Sequence, residues 1–259
     1  MGEGQGKMNS ELTAVYFMWK RELIRFFRSK SRIIGSLGMP FFYLAILGTS
    51  LNGAMSLPSG NGSYLEFIMP GILGMVLLFG SIFSGIIVIM DRQFGFLKET
   101  LVAPVSRTSI VIGKSLGGAT TAVFQGLIMM ALALALGATI DLANLPLILA
   151  VMALISMSFV SMGIAFGSLM EDMQGFQLVM NFLVMPMFFL SGALFPIGDA
   201  PEIVRYISYV DPLTYAVEAL RALIIGSSTM PLTLSIAVLA GFFVLTTFAG
   251  AYLFSRIES

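Results

Sequence analysis

The side chains that ordinarily carry catalysis are absent from this chain or badly spaced in it. Its 259 residues include no Cys and no His, so it has no thiolate nucleophile, no imidazole base and no disulfide. A Ser–His protease site is excluded on the same ground. A metal site would need an all-oxygen ligand set, and the acids form no cluster at ligand spacing. Gly113-Lys114-Ser115 looks like the end of a phosphate-binding loop. That loop needs a Gly five residues before Gly113, and Thr108 stands there. The glycines suit close helix packing instead, Gly113 with Gly117 and Gly163 with Gly167. These residues predict a non-enzyme with no metal and no cofactor of its own. Lys and Arg balance Asp and Glu at 14 each, so no bulk attraction to nucleic acid follows.

The elements that hold these residues are membrane spans. The chain is 57% apolar and 11% charged, with a mean hydropathy of +0.94, outside the range of soluble domains. A hydrocarbon core of about 30 Å needs roughly 20 helical residues. Six stretches meet that length: 33–52, 68–90, 109–138, 146–170, 176–195 and 231–254. Pro70, Pro146 and Pro231 fall at or near span starts, where a missing N–H costs nothing. Pro40 and Pro186 fall inside and predict kinks in the first and fifth spans. No internal repeat is evident, and no cleavable signal peptide precedes the polar, basic first 32 residues. Residues 2–6 read as a disordered tail.

Charge orients the weave. Of the 14 Lys and Arg, 12 lie in the N-terminus, the second connection with Lys114 just beyond it, and the C-terminus; the exceptions are Arg205 and Arg221. Basic residues stay on the cytoplasmic side while short loops translocate. The expectation is a multi-pass cell-membrane protein with both termini cytoplasmic, forming one transmembrane domain over 1–259.

Three segments outside the spans have their own pattern. In 10–32, Leu12, Val15, Tyr16, Trp19, Leu23, Phe26 and Phe27 share a helical stripe opposite Arg21, Arg25 and Arg28. This predicts an amphipathic helix lying in the interface and touching membrane lipids. The second connection carries Asp91, Arg92, Lys98, Glu99 and Arg107, and its Phe94, Phe96, Leu97 and Leu101 mark a short amphipathic helix that Pro104 ends. Two Phe residues at such a tip suit docking onto a soluble partner. From Asp199 to about Ser228 come two short helix-like pieces, split at Asp211-Pro212, with Glu218 and Arg221 paired at i,i+3. Neither piece is long enough to cross, which predicts an external hairpin dipping back toward the bilayer.

An energy source is not apparent. Ion-coupled carriers keep acids or bases inside their spans. Here the interior polar residues are amides and hydroxyls such as Gln125, Asn181, Ser81 and Ser191, which more often hold helices together. Lys114 can snorkel from its span end.

The run Asp91-Arg92-Gln93-Phe94-Gly95-Phe96-Leu97-Lys98-Glu99, with Pro104, Ser106-Arg107 and Gly113-Lys114, resembles the cytoplasmic loop of type-2 ABC exporter permeases. Phe189-Leu190-Ser191-Gly192-Ala193-Leu194-Phe195-Pro196 resembles that family's fifth-span ending. Asp211-Pro212-Leu213-Thr214-Tyr215 and Glu218-Ala219-Leu220-Arg221 resemble its external hairpin, where Asn-Pro is the commoner opening. The likeness covers the chain after Leu12 and is nearest to drug-resistance and nodulation-factor permeases.

The resemblance implies an all-α polytopic fold: six transmembrane helices, an N-terminal interfacial connecting helix, a cytoplasmic coupling helix and an external re-entrant hairpin before the last span. It implies two permease copies, identical in the simplest case, and two separate cytoplasmic ATPase subunits that hold ATP and Mg. Arg92, Phe94, Phe96, Leu97, Glu99 and Leu101 would couple to the ATPase. The first, second and fifth spans would line the pathway, with Phe41, Phe42, Met75, Phe79, Met180, Met185 and Phe188 as its candidate residues. The fifth span is rich in adaptable Met and Phe, which suits a drug or lipid-like substrate. Beyond Pro186, the small Ser191 and Gly192 precede Leu194 and Phe195, the candidate external gate. Alternatives are an autonomous secondary carrier or channel, a permease for lipid-linked saccharides, or a non-transporting scaffold.

Overall fold

The computed structural model describes residues 2–51, 63–94 and 106–256, and every regular element among them is helical. Six helices are long and apolar enough to cross a membrane: Ile33–Ser50, Tyr64–Gln93, Thr108–Ala135, Leu145–Leu169, Met173–Leu190 and Leu232–Ser255. They match the six expected spans within a few residues. The largest differences are the fifth span, which ends at Leu190 rather than 195, and the second, which starts at Tyr64 rather than 68. Ser63 accepts from Leu65 N at 3.2 Å and Glu66 closes a capping box on the Ser63 N–H; such reciprocal capping starts a helix one turn ahead of its apolar run. Pro70 therefore lies inside this helix, not at its start.

Pro40 and Pro186 do lie inside spans, and each is close to a π-helical turn, Tyr43–Leu47 and Met180–Val184. A proline donates no N–H, and a wider turn nearby lets the ladder reorganise around the gap. The N-terminal helix runs Gly2–Arg28, so the segment read as a disordered tail is helical.

The second and fourth spans form the centre of the bundle. Ile68, Ile72, Leu73, Leu77 and Leu78 of the one pack with Ile148, Met152, Ile155 and Phe159 of the other in a single apolar core. Glycine sets their closest approach: a Cβ on Gly163 would lie 2.5 Å from the Ile82 carbonyl oxygen. The third span packs against both, and the sixth lies along the fourth. The sixth span is nonetheless mostly exposed, as are the first and fifth.

The N-terminal helix lies along the third span. Gly113 and Gly117 make that contact possible, since a Cβ on either would come 2.6 Å from Met18 Cβ or Glu22 Cβ. The expected small-residue packing is thus real, with this helix as its partner. Trp19 Nε1 donates to Thr120 Oγ1 at 3.1 Å, and Phe27 meets Phe124 at 5.0 Å between ring centroids. Glu11 accepts from the Ser106 backbone and hydroxyl at 2.8–3.0 Å, fastening the cap of the third span. Leu12, Tyr16 and Phe27 of the predicted stripe remain exposed, while Phe26 is buried.

Between the fifth and sixth spans, helices Glu202–Val210 and Pro212–Ile224 form the hairpin. Asp211 caps the second by accepting from Leu213 N at 2.8 Å, with Pro212 at its first turn. Leu213, Ala216, Val217, Leu220 and Leu223 of this helix are buried against the second, fourth and sixth spans.

Candidate functional site

Three features stand out: a charge node at the end of the bundle that bears both chain termini, a cleft running inward from it, and a locked hairpin at the other end. The node centres on Asp91, buried in the last turns of the second span. Lys114 Nζ of the third span donates to Asp91 Oδ2 at 2.5 Å; Arg21 and Arg25 of the N-terminal helix reach Oδ1 at 3.1 and 3.5 Å. One carboxylate thus joins three elements directly before the 92–105 connection. Lys114 is not snorkelled but buried and paired. Its burial is tolerable because the pair is charge-assisted and close; removing one partner would leave the other stranded in an apolar wall.

The cleft has two adjoining chambers of 430 and 220 Å³ that share Gly35, Ser36, Gly80, Phe83 and Gln125. The chamber nearer the node is lined by Glu22, Phe26, Ser84, Ile87, Met90 and Thr121, among others. The inner chamber is lined by Met39, Pro40, Met75, Val76, Phe79 and Met185. Gln125 Nε2 donates to Ser36 Oγ at 3.1 Å, tying the third span to the first across the shared wall. The cleft is therefore polar towards the node and apolar inward.

At the opposite end, Glu218 and Arg221 form a buried ion pair. Arg221 Nη2 also donates to the Gly192 carbonyl at 3.0 Å, and its guanidinium lies 4.4 Å from the Phe67 ring centroid. Glu218 accepts from Thr229 N at 2.6 Å, from the Thr229 hydroxyl at 2.8 Å and from Met230 N at 3.3 Å. Gly192, at φ +74°, makes the turn that brings its carbonyl there. Burial lowers the Arg221 guanidinium from its ordinary value, against the pull of Glu218. Burial also pushes the Asp211 carboxyl up to about 7, opposed by its bond from Leu213 N–H. Asp211 Oδ2 has no partner among the described residues, which suits a protonated group.

The residues expected to act separate accordingly. Arg92 and Phe94 close the second span, with Phe94 67% exposed. Phe96, Leu97, Glu99 and Leu101 lie outside the described residues. Met75, Phe79 and Met185 come together in the inner chamber. Met180 and Phe188 are buried, and Phe79 and Phe188 stack edge-on at 6.3 Å. Phe41 is half-buried beside the core and Phe42 is 58% exposed. The gate pair is split: Leu194 is buried, its carbonyl accepting from Tyr64 Oη at 2.9 Å, while Phe195 is 53% exposed. The sequence reading missed the convergence on Asp91 and the place of Glu22. One signal was available: Glu11 and Glu22 are eleven residues apart, about three turns, so both sit on one face of the helix.

Comparison with known proteins fits this architecture. The family description "ABC-2 type transporter" matches residues 13–225. Nodulation protein J of Rhizobium meliloti (strain 1021) is 27% identical over 243 residues, covering 93% of this chain and 90% of that protein. Nodulation protein J of Rhizobium leguminosarum bv. viciae is 28% identical over 93% of this chain and 91% of its own length. The ycf38 protein of Cyanophora paradoxa, which carries the name of a transport permease, is 28% identical over 85% of this chain and 79% of its own. With six helices long and apolar enough to cross a membrane, this multi-pass membrane chain belongs to the ABC-2 type transporter family.

Proposed function

We propose that this chain is the permease subunit of an ATP-driven exporter and forms the pathway for a hydrophobic or amphipathic substrate, drug or lipid-like. It works as a pair of identical copies in the cell membrane, with both termini cytoplasmic. Two separate ATPase subunits bind ATP and Mg and dock at the 92–105 connections. One observation carries the reading: among the described residues, charge within the six spans is confined to Glu66 at one end and Asp91, Arg92 and Lys114 near the other. No ionisable relay crosses the middle of the spans, which favours energy delivered from outside the bilayer over coupling to an ion gradient. The connection that would receive it follows Asp91 directly. A push there acts through three ion pairs on the N-terminal helix and the third span, whose walls include the cleft. By linkage, substrate binding should in turn bias the ATPase.

Proteoliposomes holding the purified chain, with and without its ATPase, test this. Movement of the amphiphilic dye rhodamine 6G is expected only with the ATPase and hydrolysable ATP. Dye movement by the chain alone under a proton gradient would establish a secondary carrier instead.

A further inference from the structure

We infer that the cleft is a binding site for an amphiphile with a protonated amine head and an apolar tail, and that Glu22 is the counter-ion for that head. The inference rests on the permease reading for its physiological meaning and narrows the substrate class. Its basis is the way one cleft divides its chemistry.

Glu22 is the one ionisable residue on the cleft wall among the described residues, and it is 7% exposed. The cations nearby do not line the cleft. Arg21, Arg25 and Lys114 converge on Asp91; Arg25 also forms a loose ion pair with Glu22, Nη1 to Oε1 at 3.8 Å, too long for a hydrogen bond and open to competition by a second cation. Around Glu22 the outer chamber offers the hydroxyls of Ser36, Ser84 and Thr121 and the amide of Gln125. These groups can accept from the N–H bonds of an ammonium head. The inner chamber changes character: Met39, Met75, Val76, Phe79 and Met185 make a soft apolar lining that adapts to tails of different shape. The outer chamber, at 430 Å³, falls by itself in the size range of small-molecule sites, about 300–1,000 Å³, and the 220 Å³ inner chamber extends it. The polar chamber is the one nearer the Asp91 node, through the helix that carries both Glu22 and Arg21, so an amphiphile whose head faces that side could enter without inverting.

Binding is measured on the purified permease alone in nanodiscs, by fluorescence anisotropy of dansylcadaverine, which carries a protonated amine, with 6-(dansylamino)hexanoate as the anionic counterpart of similar size. Wild type is expected to prefer the cation at least tenfold. Glu22→Gln should abolish that preference, and Ile87→Trp, which fills the outer chamber, should abolish binding of both dyes. The native chain has no Cys, so Thr121→Cys adds a readout with Glu22 intact: dansylcadaverine should protect it from maleimide. An unchanged cation preference in Glu22→Gln, unchanged binding in Ile87→Trp, or no protection at Thr121→Cys overturns the inference. No ATPase is present, so these outcomes are separate from those that test ATP-driven transport.

Discussion

Asp91 and Asp211 show how differently two buried carboxylates can be held. Asp91 is surrounded by cations and should be worth most through what its loss exposes. Asp91→Asn leaves Lys114 buried without its counter-charge, which is expected to cost about 3–5 kcal/mol. Asp91→Leu combined with Lys114→Met removes both charges and should recover most of that loss in a detergent melting assay. Recovery of stability without recovery of ATP-driven transport would mark Asp91 as part of the coupling path. Asp211 is the reverse case, since burial rather than a partner sets its behaviour. Its folded value of about 7 lies above the ordinary 3.8, so the folded state holds the proton more tightly. Its contribution is most favourable below about pH 4 and is lost as pH rises towards 7. Asn can keep the cap on Leu213 N without a charge to bury. Asp211→Asn should therefore match wild type near pH 3.5 and melt several degrees higher at pH 8. Equal pH profiles would show that the carboxyl does not titrate in this window.

Among the elements, the six spans were legible because roughly twenty apolar residues in a row have few other uses. Their ends were less so. The second span begins at Tyr64 because Ser63 and Glu66 form a capping box, a signal present in the sequence but outweighed by the later apolar run. The N-terminal helix was legible as amphipathic, but its buried face was not. Its stripe counts apolar side chains, whereas the contact with the third span is chosen by the backbone approach that Gly113 and Gly117 allow. That preference is invisible until the partner helix is known. The 92–105 connection follows the fixed end of the second span, and its expected amphipathic helix gives a prediction at this scale. Phe96→Ser with Leu97→Ser should leave the bundle assembled, because those residues lie beyond the Asp91 node, yet release the ATPase or uncouple its hydrolysis. Substrate-stimulated hydrolysis at the wild-type rate would remove the docking role from this segment.

At the scale of the whole molecule, the bundle is finished on its inside and unfinished on three outer faces. The first, fifth and sixth spans all show large apolar side chains, including Phe42, Phe182 at 79% exposure and Phe248 at 74%. One face must meet lipid and another, in the proposed pair, must meet a second copy. The cleft and its Met185 lining lie on the side of the first and fifth spans, while the sixth is applied to the back of the fourth. A twofold axis beside the first and fifth spans would bring the Phe195 side chains of two copies together and leave the sixth spans outermost. With no native Cys, single cysteines can separate the two arrangements. Phe182→Cys and Phe195→Cys should cross-link between copies in native membranes, and Phe248→Cys should not. A dimer trapped through Phe248→Cys instead would place the axis on the sixth span, making Phe195 a lipid-facing residue and ending its role as a seal. The same background reports orientation. Ser106→Cys, beside the basic node, should resist impermeant reagents in intact cells, and Ser59→Cys should react. If Ser106→Cys is labelled from outside, the Asp91 node faces away from the cytoplasm and no cytoplasmic ATPase can reach it.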